Sequence, residues 1–160
     1  MLVDSSVWIH FLRGSLSIEV ELLAQSLAES QTVWLAPPIL QEVLQGADSP
    51  SRMTRWERTL GDLLMLTIAD QRLSAREAAH LYARCRWAGV NPRSANDCLI
   101  AVHAIAHLVP LLHRDEDFVQ SSRIDRRLKL VSVSGLLNIA QLQRRSDSNA
   151  KKKRAEARFF

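Results

Sequence analysis

The sequence predicts one α/β domain, a parallel β-sheet with helices packed on both faces (an α/β/α sandwich). Short apolar segments alternate along the chain with longer segments of helical periodicity, which is the pattern of parallel strands joined by helical crossovers. A length of 160 residues provides for a single well-buried core. Apolar residues make up 47% and charged residues 24% of the chain, which excludes a wholly disordered protein.

The elements of the first half are placed by capping residues, apolar spacing and prolines. Asp4 or Ser5 is expected to cap a helix that ends near Gly14, and prolines precede a helix closed by Gly46. We predict, in chain order, a strand at 2–3, helices to residue 14 and at 17–29, a strand at 32–35, helices at 39–45 and 51–65, and a strand at 66–68.

The second half continues this alternation. Asn96 or Asp97 is expected to cap a helix that is apolar on nearly every side and therefore buried. We predict, in chain order, helices at 74–88 and 97–108, a strand at 111–113, a turn or short helix from residue 114, a strand at 128–133 and a helix at 135–143. The domain is therefore predicted to span residues 1–143.

The basic charge of the protein is concentrated in residues 144–160. The whole chain has 21 basic and 17 acidic residues, of which seven and two lie in this segment. The rest of the chain is nearly neutral, with 14 basic and 15 acidic residues. We predict that residues 144–160 form a disordered basic tail. The high isoelectric point therefore does not by itself indicate a domain that binds nucleic acid.

The composition favours a cytoplasmic protein. Two cysteines, Cys85 and Cys98, are too few for a disulfide scaffold or a cysteine-based zinc site. Asp4 interrupts the apolar residues near the N-terminus, so no signal peptide is predicted. The longest apolar run, at 98–112, contains two histidines and a proline and is shorter than the ~20 residues of a membrane span.

Acidic residues follow the predicted strands, where open α/β sheets form their sites. These candidate site residues are Asp4, Glu42, Asp97, Asp115 and Asp117. Taken singly, Asp4 has an alternative role as a helix cap, and Glu42 as a solvated residue beside an apolar stripe. Asp115 and Asp117 are equally compatible with a turn. Asp97 is harder to explain, since a carboxylate on a buried helix is costly unless it is paired or binds a cation.

Together the five carboxylates indicate a site for a hard divalent cation. Carboxylates that converge on one sheet edge repel one another and raise one another's pKa values. Mg²⁺ or Mn²⁺ removes that repulsion and prefers oxygen ligands with retained water molecules. Such a cation lowers the pKa of a bound water and neutralises charge on a phosphodiester, so the reaction needs no Ser or His nucleophile.

Four segments in this order and spacing resemble the PIN-domain family, and more closely its VapC-type toxins of bacterial toxin–antitoxin pairs. The segments are Leu-Val-Asp-Ser-Ser-Val-Trp-Ile at 2–9, Pro-Pro-Ile-Leu-Gln-Glu-Val-Leu-Gln-Gly at 37–46, Asn-Asp-Cys-Leu-Ile-Ala at 96–101 and His-Arg-Asp-Glu-Asp-Phe at 113–118. The resemblance extends from Met1 to about Val133. It departs from the family pattern at His113, where many relatives have Thr or Ser, and it does not explain the Lys-rich tail.

The resemblance implies a Mg²⁺- or Mn²⁺-dependent endoribonuclease that cleaves an RNA phosphodiester through a metal-activated water. Its catalytic residues would be Asp4, Glu42, Asp97, Asp115 and Asp117, and Asp4, Glu42, Asp97 and Asp117 would hold the metal. Ser5 and Asn96 would support the site through hydrogen bonds. A homodimer is implied, as is a cognate antitoxin that places a basic side chain among the carboxylates.

Two alternative functions are compared with this interpretation. A non-catalytic interaction module, whose acidic pocket docks a basic partner segment, is the alternative from a different class. A receiver domain also holds Mg²⁺ among carboxylates, but it is disfavoured because Ser5 rather than a second acid follows Asp4.

Other residues have both functional and structural explanations. His103 and His107 have the i, i+4 spacing of a zinc site but lack an obvious third ligand, so hydrogen-bonded histidines are expected. Exposed arginines on the helix at 74–88 and beside it are equally compatible with a phosphate-binding track and with a solvated face; these are Arg72, Arg76, Arg84, Arg86 and Arg93. The candidate contacts to RNA or to an antitoxin are Trp56, Arg86, Trp87 and Arg93.

Overall fold

A computed structural model describes residues 1–132, and it confirms the predicted α/β fold class. Within these residues, four short parallel strands form one sheet in the spatial order β3-β2-β1-β4, and seven helices flank it. The elements are β1 Leu2–Val3, α1 Ser5–Leu12, α2 Ile18–Ala28, β2 Trp34–Leu35, α3 Pro37–Gln45, α4 Pro50–Gly61, β3 Leu64–Met65, α5 Gln71–Trp87, α6 Ala95–Ala106, β4 Leu111–Leu112 and α7 Glu116–Ile124.

The central strand β1 aligns the sheet. Leu2 is in register with Trp34 of β2 on one side and with Leu111 of β4 on the other. Because all the pairings are parallel, the residues that follow β1, β2 and β4 leave the sheet at the same edge. The sheet therefore gathers the residues after three strands that are distant in sequence.

The core is formed by the strands and by the inner faces of the helices. Both residues of β1 and both of β4 are fully buried. Trp8, Trp56 and Phe118 are the largest fully buried side chains. Helix α6 is buried along most of its length, as its apolar composition predicts. A fully buried large apolar side chain stabilises the fold by about 1.5–3 kcal/mol.

Two predicted boundaries are wrong for local reasons. The third strand lies at Leu64–Met65 rather than at 66–68, because α4 ends at Gly61 instead of continuing to residue 65. The pairing does extend into the predicted segment, since the Leu66 N–H donates to the Leu35 carbonyl at 2.8 Å. Ser94, not Asn96 or Asp97, caps α6, so Asp97 lies within the first turn.

The C-terminal part of the prediction is tested only in part. Of the predicted strand at 128–133, the structure shows a single parallel bridge between Leu111 and Leu130. The predicted helix at 135–143, the domain boundary at 143 and the tail at 144–160 lie outside the described residues. Within residues 1–132, no helix combines the length and apolarity that a membrane crossing requires.

Candidate functional site

Asp4 is the most buried carboxylate at the sheet edge. It follows β1 directly, caps α1 and is 3% exposed. Its Oδ2 accepts hydrogen bonds from the Ser6 backbone N–H at 3.0 Å and from the Ser6 hydroxyl at 2.6 Å. Its Oδ1 is buried and has no hydrogen-bond partner among residues 1–132. Burial raises the pKa of Asp4 above its ordinary value, with the charge of Glu42 contributing in the same direction.

Ser6 was not among the predicted site residues. A serine two positions after an aspartate at a strand end was the available signal, because a helix N-cap accepts hydrogen bonds from the residues just after it. In the structure Ser6 occupies one oxygen of Asp4 and leaves the other free. It therefore fixes which oxygen of Asp4 is available to a ligand.

Glu42 is oriented by the two residues predicted to support the site. It lies on α3, one turn from the helix start, and is partly buried. The Ser5 hydroxyl donates to its Oε2 at 2.6 Å, and the Asn96 side-chain amide donates to its Oε1 at 3.0 Å. The carboxylate is thus held by neutral donors from two other helices, α1 and α6, which leave its negative charge uncompensated.

The pKa of Asp97 depends on the negative charges of the other four predicted carboxylates. Partial burial raises its pKa from the ordinary value of 3.8 to about 7, and the negative charges of the other four add to the shift. Those four, in decreasing order of effect, are Asp4, Glu42, Asp115 and Asp117. The Asp97 carboxylate has no hydrogen-bond or ion-pair partner among the described residues. The structure therefore brings the five acids into one negative cluster, which we call the acidic site.

Arg93 neutralises the outer side of the acidic site. Its guanidinium forms an ion pair with both oxygens of Asp115. Its Nε lies 3.3 Å from Asp117 Oδ2, and its backbone N–H donates to the same oxygen at 2.8 Å. Asp115 caps α7 by accepting from the Asp117 N–H at 3.0 Å. Partial burial opposes a fall in the pKa of Asp115, but the Asp117 N–H and Arg93 outweigh it and lower the pKa.

His113 lies next to the acidic site, where the charges of Asp4 and Asp115 act on its ring. Its Nδ1 is buried without a partner among residues 1–132, and its ring packs on Phe118 with centroids 5.5 Å apart. Burial lowers its pKa, so the ring is neutral near pH 7. The structure shows this histidine as a packing residue at the end of β4.

His103 on α6 and His107 at its C-terminal cap lie within hydrogen-bonding distance of backbone carbonyls, as expected. His103 Nδ1 lies 2.9 Å from the Leu99 carbonyl, and His107 Nε2 lies 3.1 Å from the Thr67 carbonyl. In the part of the chain that the structure describes, no three His, Cys, Asp or Glu side chains are close enough to enclose one metal ion.

The acidic site nevertheless fits a hydrated divalent cation. Mg²⁺ is usually held by one or two carboxylates and keeps several water molecules, so three converging side chains are not required. Asp4 Oδ1 and the Asp97 carboxylate are oxygen atoms of the acidic site that have no hydrogen-bond or ion-pair partner within residues 1–132. The positive charge of a bound cation would also relieve the repulsion among the carboxylates that contributes to the raised pKa of Asp97.

The predicted contacts to RNA or antitoxin differ in accessibility. Trp87 ends α5 and is 81% exposed, and its neighbour Arg86 is exposed too. Trp56 is 1% exposed and belongs to the core, so the structure argues against a stacking role for its ring. Arg93 forms ion pairs with Asp115 and Asp117 of the acidic site. Arg84, from the predicted arginine track, pairs with Asp125 at 2.6 Å. Of the four predicted contacts, Arg86 and Trp87 are thus the ones that are exposed and have no ion-pair partner within residues 1–132.

Comparisons with known proteins show which family and fold this chain is similar to. The family model for the PIN domain matches residues 1–124. The chain is 38% identical over 125 residues to a VapC ribonuclease of Mycobacterium bovis and to Ribonuclease VapC11 of Mycobacterium tuberculosis, covering 78% of this chain and 92% of each relative. The crystal structure of FitAcB from Neisseria gonorrhoeae has a TM-score of 0.59 and 19% identity, and the match covers 82% of this chain and 96% of that one. This last similarity supports the fold alone.

Proposed function

The chain belongs to the PIN-domain family and to its VapC branch, and from this premise we propose that it is a metal-dependent endoribonuclease. The observation that carries the proposal is the acidic site, in which buried Asp4 Oδ1 and Asp97 lack partners among the described residues. The relatives at 38% identity are named ribonucleases. A cluster of carboxylates without a nucleophilic Ser, Cys or His suits phosphodiester hydrolysis.

Asp4 and Asp97 are the proposed primary metal residues, with Glu42 and Asp117 completing the set. When bound, Mg²⁺ or Mn²⁺ neutralises charge on the scissile phosphate and lowers the pKa of a water molecule for in-line attack. Ser5 and Asn96 fix the Glu42 carboxylate, so that its direction does not change during the reaction. Asp115 orients the start of α7 and thereby the Asp117 side chain.

Asp97 is the residue whose protonation matters for metal binding. With a pKa raised to about 7, it carries a proton in a substantial fraction of molecules at neutral pH. A carboxylate must lose its proton to bind a metal. Cation binding is therefore expected to release a proton from Asp97, and to weaken as the pH falls below about 7.

We further propose that the protein is the toxin of a toxin–antitoxin pair, in the cytoplasm and as a homodimer. The support is membership of the VapC branch. The proposed antitoxin would place a basic side chain among the carboxylates, and the pairing of Arg93 with Asp115 and Asp117 illustrates how a guanidinium fits them.

The test of the nuclease proposal is a cleavage assay of the purified protein on total RNA with Mg²⁺ or Mn²⁺ titrated in. Asp97→Asn should reduce cleavage by more than the ~10–100-fold that removal of an outer metal-site partner costs. Asp62→Asn, the same change at an exposed position after α4, is the matched control and should cleave normally. Unchanged cleavage by a folded Asp97→Asn variant would contradict the proposal.

The second candidate function is a non-catalytic docking module. The occupation of Asp115 and Asp117 by Arg93 favours it, since it shows basic groups binding these acids without a metal. Calorimetric titration with Mg²⁺ or Mn²⁺ separates the two candidates. A nuclease should bind Mg²⁺ or Mn²⁺, and Asp4→Asn should abolish that binding. A docking module should instead bind a basic peptide, and adding the cation should not lead to RNA cleavage.

A further inference from the structure

A basic groove lies between the end of α1 and the start of α4, away from the acidic site. It encloses about 610 Å³. Leu12 and Trp56 are its apolar lining residues. Its polar lining consists of three arginines and two serines, namely Arg13, Arg52, Arg55, Ser49 and Ser51.

The charge of the basic groove is positive and only partly compensated. Arg52 pairs with Asp48, which is on the surface and is not a lining residue. Arg13 donates to the Gly46 carbonyl at 3.0 Å, an interaction that leaves its charge unpaired. Arg55 has no ion-pair partner within residues 1–132. No carboxylate lines the groove in the described chain.

The groove has the donors that phosphate groups require. Guanidinium groups present planar pairs of N–H donors that match phosphate oxygens. The groove also contains the N-terminus of the 12-residue helix α4, whose dipole adds positive potential, and the hydroxyl of Ser51. Its volume lies in the range of ligand sites, roughly 300–1,000 Å³.

Two helices connect the basic groove with the acidic site. Helix α1 follows Asp4 and ends just before Arg13, and its eight residues span about 12 Å. Helix α3 carries Glu42 of the acidic site and ends at Gly46, whose carbonyl holds Arg13. The two sites are thus a short helix apart, a distance that a few nucleotides of a single strand cover.

We propose that the basic groove binds backbone phosphates of the RNA chain a few nucleotides from the bond cleaved at the acidic site. This inference rests on the proposed ribonuclease function. Residues 1–132 contain 14 basic and 15 acidic residues, so the net charge of this part of the chain does not attract RNA, and its contribution to RNA binding requires a local basic surface. An acidic peptide would also fit arginines, but the spacing from the acidic site favours a ligand that occupies both.

The proposal is tested by RNA binding in an Asp97→Asn background, in which the RNA is not cleaved. Single-stranded RNA is titrated with fluorescence anisotropy at several salt concentrations. The double variant Arg52→Gln/Arg55→Gln should weaken binding and reduce the slope of log K against log salt by about 0.7 for each phosphate that is no longer neutralised. Arg58→Gln, an exposed arginine of α4 that does not line the groove, is the matched control and should leave the slope unchanged.

Cleavage kinetics and a parallel binding experiment with an acidic peptide distinguish RNA binding in the groove from its alternatives. In the otherwise native protein, the double variant should raise KM for RNA and leave kcat unaltered, because the groove contacts no reacting atom. If the native protein cleaves RNA but the double variant keeps the native salt slope, the groove proposal is overturned and the nuclease function stands. The binding of a poly-glutamate peptide is measured in parallel. If peptide binding requires Arg52 and Arg55 and RNA binding does not, the groove proposal is overturned in favour of an acidic partner. Absence of both cleavage and RNA binding would overturn the two proposals together.

Discussion

The two sides of the acidic site balance their charge in different ways. On the inner side, Asp4, Glu42 and Asp97 are contacted only by neutral donors or by none. On the outer side, Asp115 and Asp117 share the guanidinium of Arg93. The pKa values differ in the same way: burial, with neighbouring negative charges, raises those of Asp4 and Asp97, whereas the Asp117 N–H and Arg93 lower that of Asp115. The inner side therefore lacks a positive charge that the outer side already has.

The largest expected effect comes from removing the inner charge. Asp4→Asn should abolish measurable Mn²⁺ binding in calorimetry, because it replaces the buried oxygen that lacks a partner. The metal-free variant should melt at a higher temperature than the native protein, since a buried charge beside Glu42 is removed while asparagine caps a helix equally well.

The control for this prediction is Asp70→Asn, the same substitution at the exposed N-cap of α5. It should leave both Mn²⁺ affinity and melting temperature nearly unchanged. Native-like Mn²⁺ affinity in Asp4→Asn would show that the inner side of the site is not where the cation binds.

The second prediction concerns the neutral donors that hold Glu42. Ser5→Ala removes the 2.6 Å hydrogen bond to Oε2 and leaves Asn96 as the remaining donor. We expect RNA cleavage to fall by about 10–100-fold, the usual cost of losing an outer partner of a metal site. Ser122→Ala, which removes a hydroxyl bonded to a backbone carbonyl on α7, serves as the control. Equal cleavage by the two variants would mean that the orientation of Glu42 is unimportant.

The third prediction concerns the outer side. Arg93→Ala removes the guanidinium charge from Asp115 and Asp117 but keeps their backbone hydrogen bonds, so Mn²⁺ should bind several-fold more tightly at low ionic strength, with less difference at high salt. Arg93→Lys keeps the charge but not the paired interaction with both oxygens, and should give an intermediate affinity. Weaker Mn²⁺ binding in Arg93→Ala would instead mean that Arg93 positions these two acids for the metal.

The comparison also shows which parts of the molecule the sequence predicts. The five acids could be placed at one sheet edge because Asp4 and Asp115 closely follow parallel strands. The pairing of Arg93 with Asp115 and Asp117 could not, because a long side chain on a loop reaches residues 22 and 24 positions away. Sequence patterns report which face a residue occupies, but not which distant partner a flexible side chain finds.

Errors at the element boundaries have a similar origin. Ser94, Asn96 and Asp97 are all good helix caps within four positions, and propensity does not choose among them. The apolar residues at 63–68 show no alternation, so they leave the position of β3 open. The basic groove was not predicted either, since Arg13 and Arg52 are brought together by the packing of α1 and of α4 on α3 rather than by a motif.

The smallest expected effect is a pH dependence confined to the inner side. The folded state of the metal-free protein holds the Asp97 proton more tightly than the unfolded chain does, because the pKa rises from 3.8 to about 7. This contribution to stability is fully present below about pH 4 and is lost as the pH rises through about 7. His103 and His113, whose pKa values are lowered, act in the opposite direction below pH 6.5.

The measurement is therefore the difference in melting temperature between the native protein and Asp97→Asn from pH 6.5 to 8, because both proteins contain the two histidines and their contributions cancel in the difference. The native protein should lose stability relative to the variant as the pH rises, and saturating Mg²⁺ should reverse that loss because the cation replaces the proton. Parallel curves for the two proteins without metal would show that Asp97 ionises normally. The inner side would then have no uncompensated charge for a cation to relieve, and its difference from the Arg93 side would disappear.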